Sequence, residues 1–161
     1  MPKFFGAKLH HLRRHYHLTQ KELADRLGLA SQAYISNVEA GRKTPSLDVI
    51  VRLSRLFAVT TDYLLRNTIP PEPLPESSLA ETVGEARPTL LGRKLIHLRT
   101  QHHFTQRDLA HQLGLLTHAH ISHIESGRHE PSADLVVRIA DVFAVTTDYL
   151  LHDSIAVEIP E

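Results

Sequence analysis

The chain has no cysteine, which excludes a disulfide framework, a zinc ribbon and a cysteine-held iron–sulfur site, and fits a reducing compartment. It has no apolar run near the roughly 18 residues that a membrane-crossing helix needs. Its first residues, MPKFFGAKLHHLRRHYH, are basic and too polar for a signal-peptide core. These absences lead us to expect a soluble, cytoplasmic chain with no membrane partner. It also lacks net charge, with 18 Lys/Arg against 18 Asp/Glu. The zero hides an asymmetry. Residues 1–69 carry +6, residues 70–91 carry −3 and residues 92–161 carry −3, and nine of the 13 histidines lie in that last stretch. A basic first part suits a polyanionic partner, and the acidic last part does so less clearly.

What is present is a repeat. FAVTTDYLL occurs at 57–65 and again at 143–151, an offset of 86 that runs without a gap from position 6 to 69. Over those 64 aligned pairs 35 residues are identical, so the chain holds a tandem duplication of one small unit. We expect domains at 1–69 and 92–161, with a solvated, Pro- and Glu-rich linker at 70–91. Residues 70–88 in extended form reach on the order of 60 Å, and SSLAETVGEA within them is compatible with a short helix.

Each copy reads as five short helices and no strand, an all-α pattern. In copy one, Lys8, Leu9, Leu12 and Tyr16 form a stripe at helical spacing. TQKE at 19–22 is a capping box, Gly28 closes that helix, and Ser31 opens a third that ends at Gly41. Pro45 and Ser46 start a fourth, with Leu47, Ile50, Val51, Leu53 and Leu56 inward, and Thr60 or Thr61 caps a short fifth. Two helices joined by a tight glycine turn inside a helical bundle make a helix-turn-helix arrangement. The segments TQKELADRLGLASQAYISNVEAGRKTPS and TQRDLAHQLGLLTHAHISHIESGRHEPS share T-Q-x-x-L-A-x-x-L-G-L, then I-S-x-[VI]-E-x-G-R and P-S. They resemble the Xre/Cro-type, phage-repressor-like helix-turn-helix regulators. The resemblance implies two lambda-repressor-like domains and a DNA-binding role, with the third helix of each copy in the major groove of double-stranded DNA.

A helix fits that groove, and its outward side chains reach base edges. In copy one the outward set is Gln32, Ala33, Tyr34, Ser36 and Asn37, with Ile35 and Val38 inward. Gln and Asn pair bidentately with adenine, and Ala or an aromatic ring meets the thymine methyl. Arg42 and Lys43 are placed for phosphate, and Gln20 matches a phosphate-binding position of the family. Arg13, Arg14 and Lys3 are read as steering phosphate, while Glu39 and Glu125 are read as structural partners of arginine. In copy two the set becomes His118, Ala119, His120, Ser122 and His123, with Gln106 and Arg128 retained for phosphate and Lys43 replaced by His129.

HAHISH, at 118–123, invites a metal reading. His120 and His123 are one turn apart, but His118 faces elsewhere, and the His11/His15 pair becomes His97/Gln101 in copy two. We therefore expect no metal and no cofactor. The nine histidines also open the option of an affinity for DNA that rises on mild acidification. In this family the short last helix often contributes to subunit contacts. That makes Tyr63, Leu64, Leu65, Tyr149, Leu150 and Leu151 candidates for a pseudo-dimer contact between copies or a homodimer contact between chains, or simply the closing residues of each core. The expected function is a regulator whose two non-identical helices read an imperfect or asymmetric operator. The alternative is an antitoxin-like or adaptor protein in which copy two mediates protein assembly. No nucleophile–base constellation, phosphate-cradling loop or paired carboxylates recommend an enzyme.

Overall fold

A computed structural model describes residues 4–67, 83–84 and 86–155. All regular structure among them is helical, in the order α1 (Phe5–His15), α2 (Gln20–Arg26), α3 (Gln32–Glu39), α4 (Leu47–Phe57) and α5 (Thr61–Leu65), then α6 (Leu91–Gln101), α7 (Gln106–Gln112), α8 (Ala119–Glu125), α9 (Ala133–Phe143) and α10 (Thr147–Leu151). The chain divides into two units, Met1–Ala86 and Arg87–Glu161, each with five helices. The fold is the expected one.

Local chemistry sets the helix ends. Thr19 accepts the Glu22 amide while the Glu22 carboxylate takes the Thr19 amide, and Thr105 and Asp108 repeat the exchange. Ser46 and Thr60 cap α4 and α5, and Ser132 and Thr146 cap α9 and α10. Gly28 takes φ +62° and Gly41 φ +70°, left-handed positions that end α2 and the turn after α3.

The first core gathers Leu9, Leu12, Leu23, Leu27, Ile35, Ile50, Leu53, Phe57 and Leu64 around α4, which is buried on nearly every side. In the second, Leu95, Leu109, Ile121, Val136, Ile139 and Leu150 take the same places. One member of the first stripe is charged. Lys8 turns its ammonium onto the carbonyls of Tyr63 and Arg66, satisfying the open end of α5. Lys94, with 0% of its surface exposed, does the same for Tyr149 and His152 at 2.6 and 2.7 Å. Burial lowers the ordinary pKa of both lysines.

Part of the segment expected as linker is held by the first unit. The Val83 amide donates to the Arg26 carbonyl at 3.0 Å, and the Ala86 amide donates to the Asp48 carboxylate at 2.8 Å, with Ala86 buried. Asp48 is itself fixed by Arg52 at 2.7 Å, and Arg52 also donates to the Leu27 carbonyl. A segment with backbone donors satisfied in this way is not solvated chain over the whole of 70–91. At its far end Leu91 already belongs to α6. The helix considered for SSLAETVGEA falls largely outside the described residues.

Candidate nucleic-acid interface

Helix α3, the candidate for the major groove, is built from below. Its inward residues Ile35 and Val38 are buried, and it packs on α1 and α2. Gly6 of α1 passes so close to the end of α3 that a Cβ there would lie 2.7 Å from the Val38 carbonyl oxygen; at Gly92 the same distance to the Ile124 oxygen is 2.7 Å. No side chain fits at either position without displacing backbone.

Beneath the same helix end lies a polar clamp. Arg13 Nε donates to Glu39 at 2.6 Å, its Nη1 donates to the Leu18 carbonyl at 2.8 Å, and Gln20 Nε2 donates to Glu39 at 2.9 Å. Burial pushes the Glu39 carboxyl up, but hydrogen bonds from Arg13, Gln20 and His10 outweigh it and hold the group below its ordinary pKa. Unit two keeps the arrangement, with Arg99 at 2.6 Å and Gln106 at 2.6 Å from Glu125. Glu39 and Glu125 are thus partners of arginine, as their charge implied. Arg13 is a correction: it is buried in this clamp and cannot steer phosphate, whereas Arg14 is exposed and Lys3 lies outside the described residues. Gln20 and Gln106, expected at phosphate, have one amide proton each engaged by a glutamate.

On the outer surface, Gln32 and Ala33 are exposed, and Tyr34, Ser36 and Asn37 are half-buried. Ser31 caps the helix through the Ala33 amide at 3.1 Å. Tyr34 lies against the domain, its hydroxyl bonded to Ser46; burial raises its pKa. The Lys43 ammonium stands 4.4 Å from the Tyr34 ring centroid, and Arg42 beside it is exposed. Both loop amides donate to the Asn37 carbonyl, at 2.8 and 3.1 Å, which ties the two basic residues to α3.

In unit two the same loop amides, of Arg128 and His129, donate to the His123 carbonyl at 2.9 and 3.1 Å. His120 and His129 replace Tyr34 and Lys43, their rings 5.0 Å apart and steeply inclined. The start of the helix differs. α8 begins at Ala119, and His118 sits before it in helical conformation without a side-chain cap. His118 instead borders a shallow depression with Arg99, His103, Gln106 and Arg107. Ala119 and His123 are exposed, and Ser122 and His120 are half-buried. Among the described residues no three His, Asp or Glu side chains come together to hold a metal ion.

Of the candidates for contact between copies or chains, Tyr63, Leu64, Leu65, Leu150 and Leu151 are buried, and Tyr149 keeps part of its surface. The Tyr34–Lys43 coupling, the lysine caps and the docking of Ala86 were not read from the sequence. The repeat carried a signal for two of them: Lys8 stays lysine at position 94, and positions 34 and 43 change together.

The geometry is matched by kinship. The helix-turn-helix family model matches twice, at residues 9–64 and 95–150. An HTH-type transcriptional regulator of Bacillus subtilis, YobD, is 41% identical over 69 residues, covering 43% of this chain and 61% of the relative. ImmR of the same organism, also named an HTH-type transcriptional regulator, is 33% identical over 81 residues, half of this chain and 63% of its own length. The regulator y4dJ of Sinorhizobium fredii is 37% identical over 68 residues, 42% of this chain and 87% of its own. This chain spans about three fifths of the first two relatives. No solved structure was found to match it. With two copies of the matched segment, folded into five helices each around α2–turn–α3 in one and α7–turn–α8 in the other, the chain belongs to the Xre/Cro-type helix-turn-helix family, a family of transcriptional regulators and not of enzymes.

Proposed function

We propose that the chain is a sequence-specific double-stranded DNA-binding regulator that reads an imperfect or asymmetric operator with two unlike helices. The observation that carries this reading is the pair of outer surfaces on one frame shared by the two copies. Gln32, Ala33, Tyr34, Ser36 and Asn37 stand on α3, and His118, Ala119, His120, Ser122 and His123 stand on or before α8. Each lies above the same arginine–glutamine–glutamate clamp. Arg42 and Lys43, and Arg128 in the second domain, serve phosphate; Gln20 and Gln106 serve it through what the clamp leaves of their amides. Ordinary dimers of this architecture set two reading helices about 34 Å apart. Here one chain holds both readers, and tethering raises the effective concentration of the second.

The test is selection from random DNA with the full chain, followed by footprinting. We expect a site with two dissimilar halves. Asn37→Ala relaxes preference at one base position, while Arg42→Ala weakens all sequences about equally. If the two substitutions relax specificity alike, α3 is not the reading helix.

A second reading gives the second domain to protein assembly. It is favoured by the −3 charge of residues 92–161 and by Leu116, which is fully exposed in the turn where the first domain has Ala30. A footprint covering one half-site only, unchanged by Arg128→Ala, selects it.

A further inference from the structure

We propose that His120 and His129 form a proton-gated cation on the reading face of the second domain, the counterpart of the permanent cation that Lys43 and Tyr34 place on the first. The inference rests on the reading that α8 meets DNA, and goes beyond it by assigning the gate to one pair among nine histidines.

The two pairs occupy one piece of architecture. Gly41 and Gly127 both take φ +70°, and the loops they start are both tied by two amides to one helix carbonyl, Asn37 in one domain and His123 in the other. This holds position 43, or 129, beside position 34, or 120. In the first domain the result is an exposed lysine ammonium 4.4 Å from a tyrosine ring, a cation–π pair. In the second, both members have changed and the contact remains, with ring centroids 5.0 Å apart.

A neutral imidazole pair offers phosphate no charge. An unperturbed imidazole gains its proton near pH 6.5. Two charged imidazoles in ring contact repel, so such a pair accepts one proton before a second. That cation packs against the other ring as Lys43 packs against Tyr34. In chain position the charged neighbours are mixed: His123 lies on α8, Arg128 and Glu130 in the loop, and Asp134 in the first turn of α9, while Arg107 of α7 borders the depression beside His118. Glu125 is already engaged by Arg99 and Gln106. Arg128 is the permanent charge next to which the gated one appears.

The experiment uses the full chain and a DNA duplex taken from the selection above, with affinity measured against salt at pH 8 and pH 6. One added phosphate contact steepens the slope of log K against log salt by about 0.9. We expect that change in the wild type, with an affinity gain on the order of fivefold at low salt. His120→Tyr with His129→Lys installs the first domain's pair, a combination its fold already accommodates. This double variant should show the steep slope at both pH values and lose most of the pH response. A wild-type response that persists in the double variant overturns the proposal, because the remaining histidines then account for it. An unchanged wild-type slope overturns it as well. Arg128→Ala separates the two levels. If it lowers affinity at both pH values, the DNA reading of the second domain stands whatever the fate of the gate. If it has no effect, that reading falls and the proposal with it.

Discussion

Ala58 and Ala144 end α4 and α9 at φ 51° and 53°, a left-handed conformation that a Cβ disfavours. Replacing Ala58 by Gly relieves that strain and should stabilise the first domain by about 0.5–1 kcal/mol, read as a higher urea midpoint. Gly6→Ala should act in the opposite sense. Its Cβ meets the Val38 carbonyl oxygen at 2.7 Å, so a loss of about 2–3 kcal/mol is expected in the same assay. Glu39 gives a third outcome. Its side chain is only 7% exposed and its folded pKa lies below the ordinary value. Its contribution is therefore complete above the unfolded pKa of about 4.3 and is lost as pH falls through the folded value. Urea midpoints taken downward from pH 6 should fall less steeply in Glu39→Gln, from a lower start. If that variant keeps the full acid sensitivity, the clamp is not its source. At this scale the sequence was unevenly legible. Gly28 and Gly41 announce positive φ by their type, whereas alanine at 58 and histidine at 17 and 103 do not. Arg13 carried the same charge as its exposed neighbour Arg14, and only packing decided that it points inward.

Helix ends were the most readable elements, because capping depends on a few neighbouring residues. Thr19 and Ser46 cap as their spacing implied, and of the two threonines open for the fifth helix Thr60 is the cap. Thr19→Ala should cost about 1 kcal/mol, seen as a lower thermal midpoint with an unchanged reading surface. The start of α8 was less readable. Ser31 caps α3, whereas His118 precedes α8 in helical conformation and provides no side-chain cap. Amide exchange in the first turn of α8 should consequently be faster than in that of α3. Comparable protection of the two turns would show that another group satisfies those amides. The aromatic couple at positions 34 and 43 escaped the sequence reading for a different reason. The partners stand nine positions apart, across the end of α3 and the loop after it, and no local pattern links them.

Over the whole chain, the repeat offset made the architecture legible before any coordinate. It fixed the number of domains, the helix count and the equivalence of HAHISH with QAYISN. It could not show that Val83 and Ala86 dock on the first unit, because both lie beyond the repeat. A polypeptide of residues 1–86 should therefore resist urea better than one of residues 1–69, by about 1 kcal/mol, with Asp48→Ala removing most of the difference. Equal midpoints for the two lengths would mean that the two backbone hydrogen bonds add nothing in solution.

The clamp of arginine, glutamine and glutamate has a consequence for how such a chain changes over generations. It secures the third helix from beneath, through Glu39 and Glu125, and asks nothing of the residues on top. On the proposed reading, mutation at the exposed position 32 can then alter what a domain recognises with little effect on its foldedness, whereas Tyr34 also bonds Ser46 and its replacement reaches the fold. A duplicate gene copy inherits that independence, and can wander among target sequences, or away from DNA altogether, without first becoming unstable.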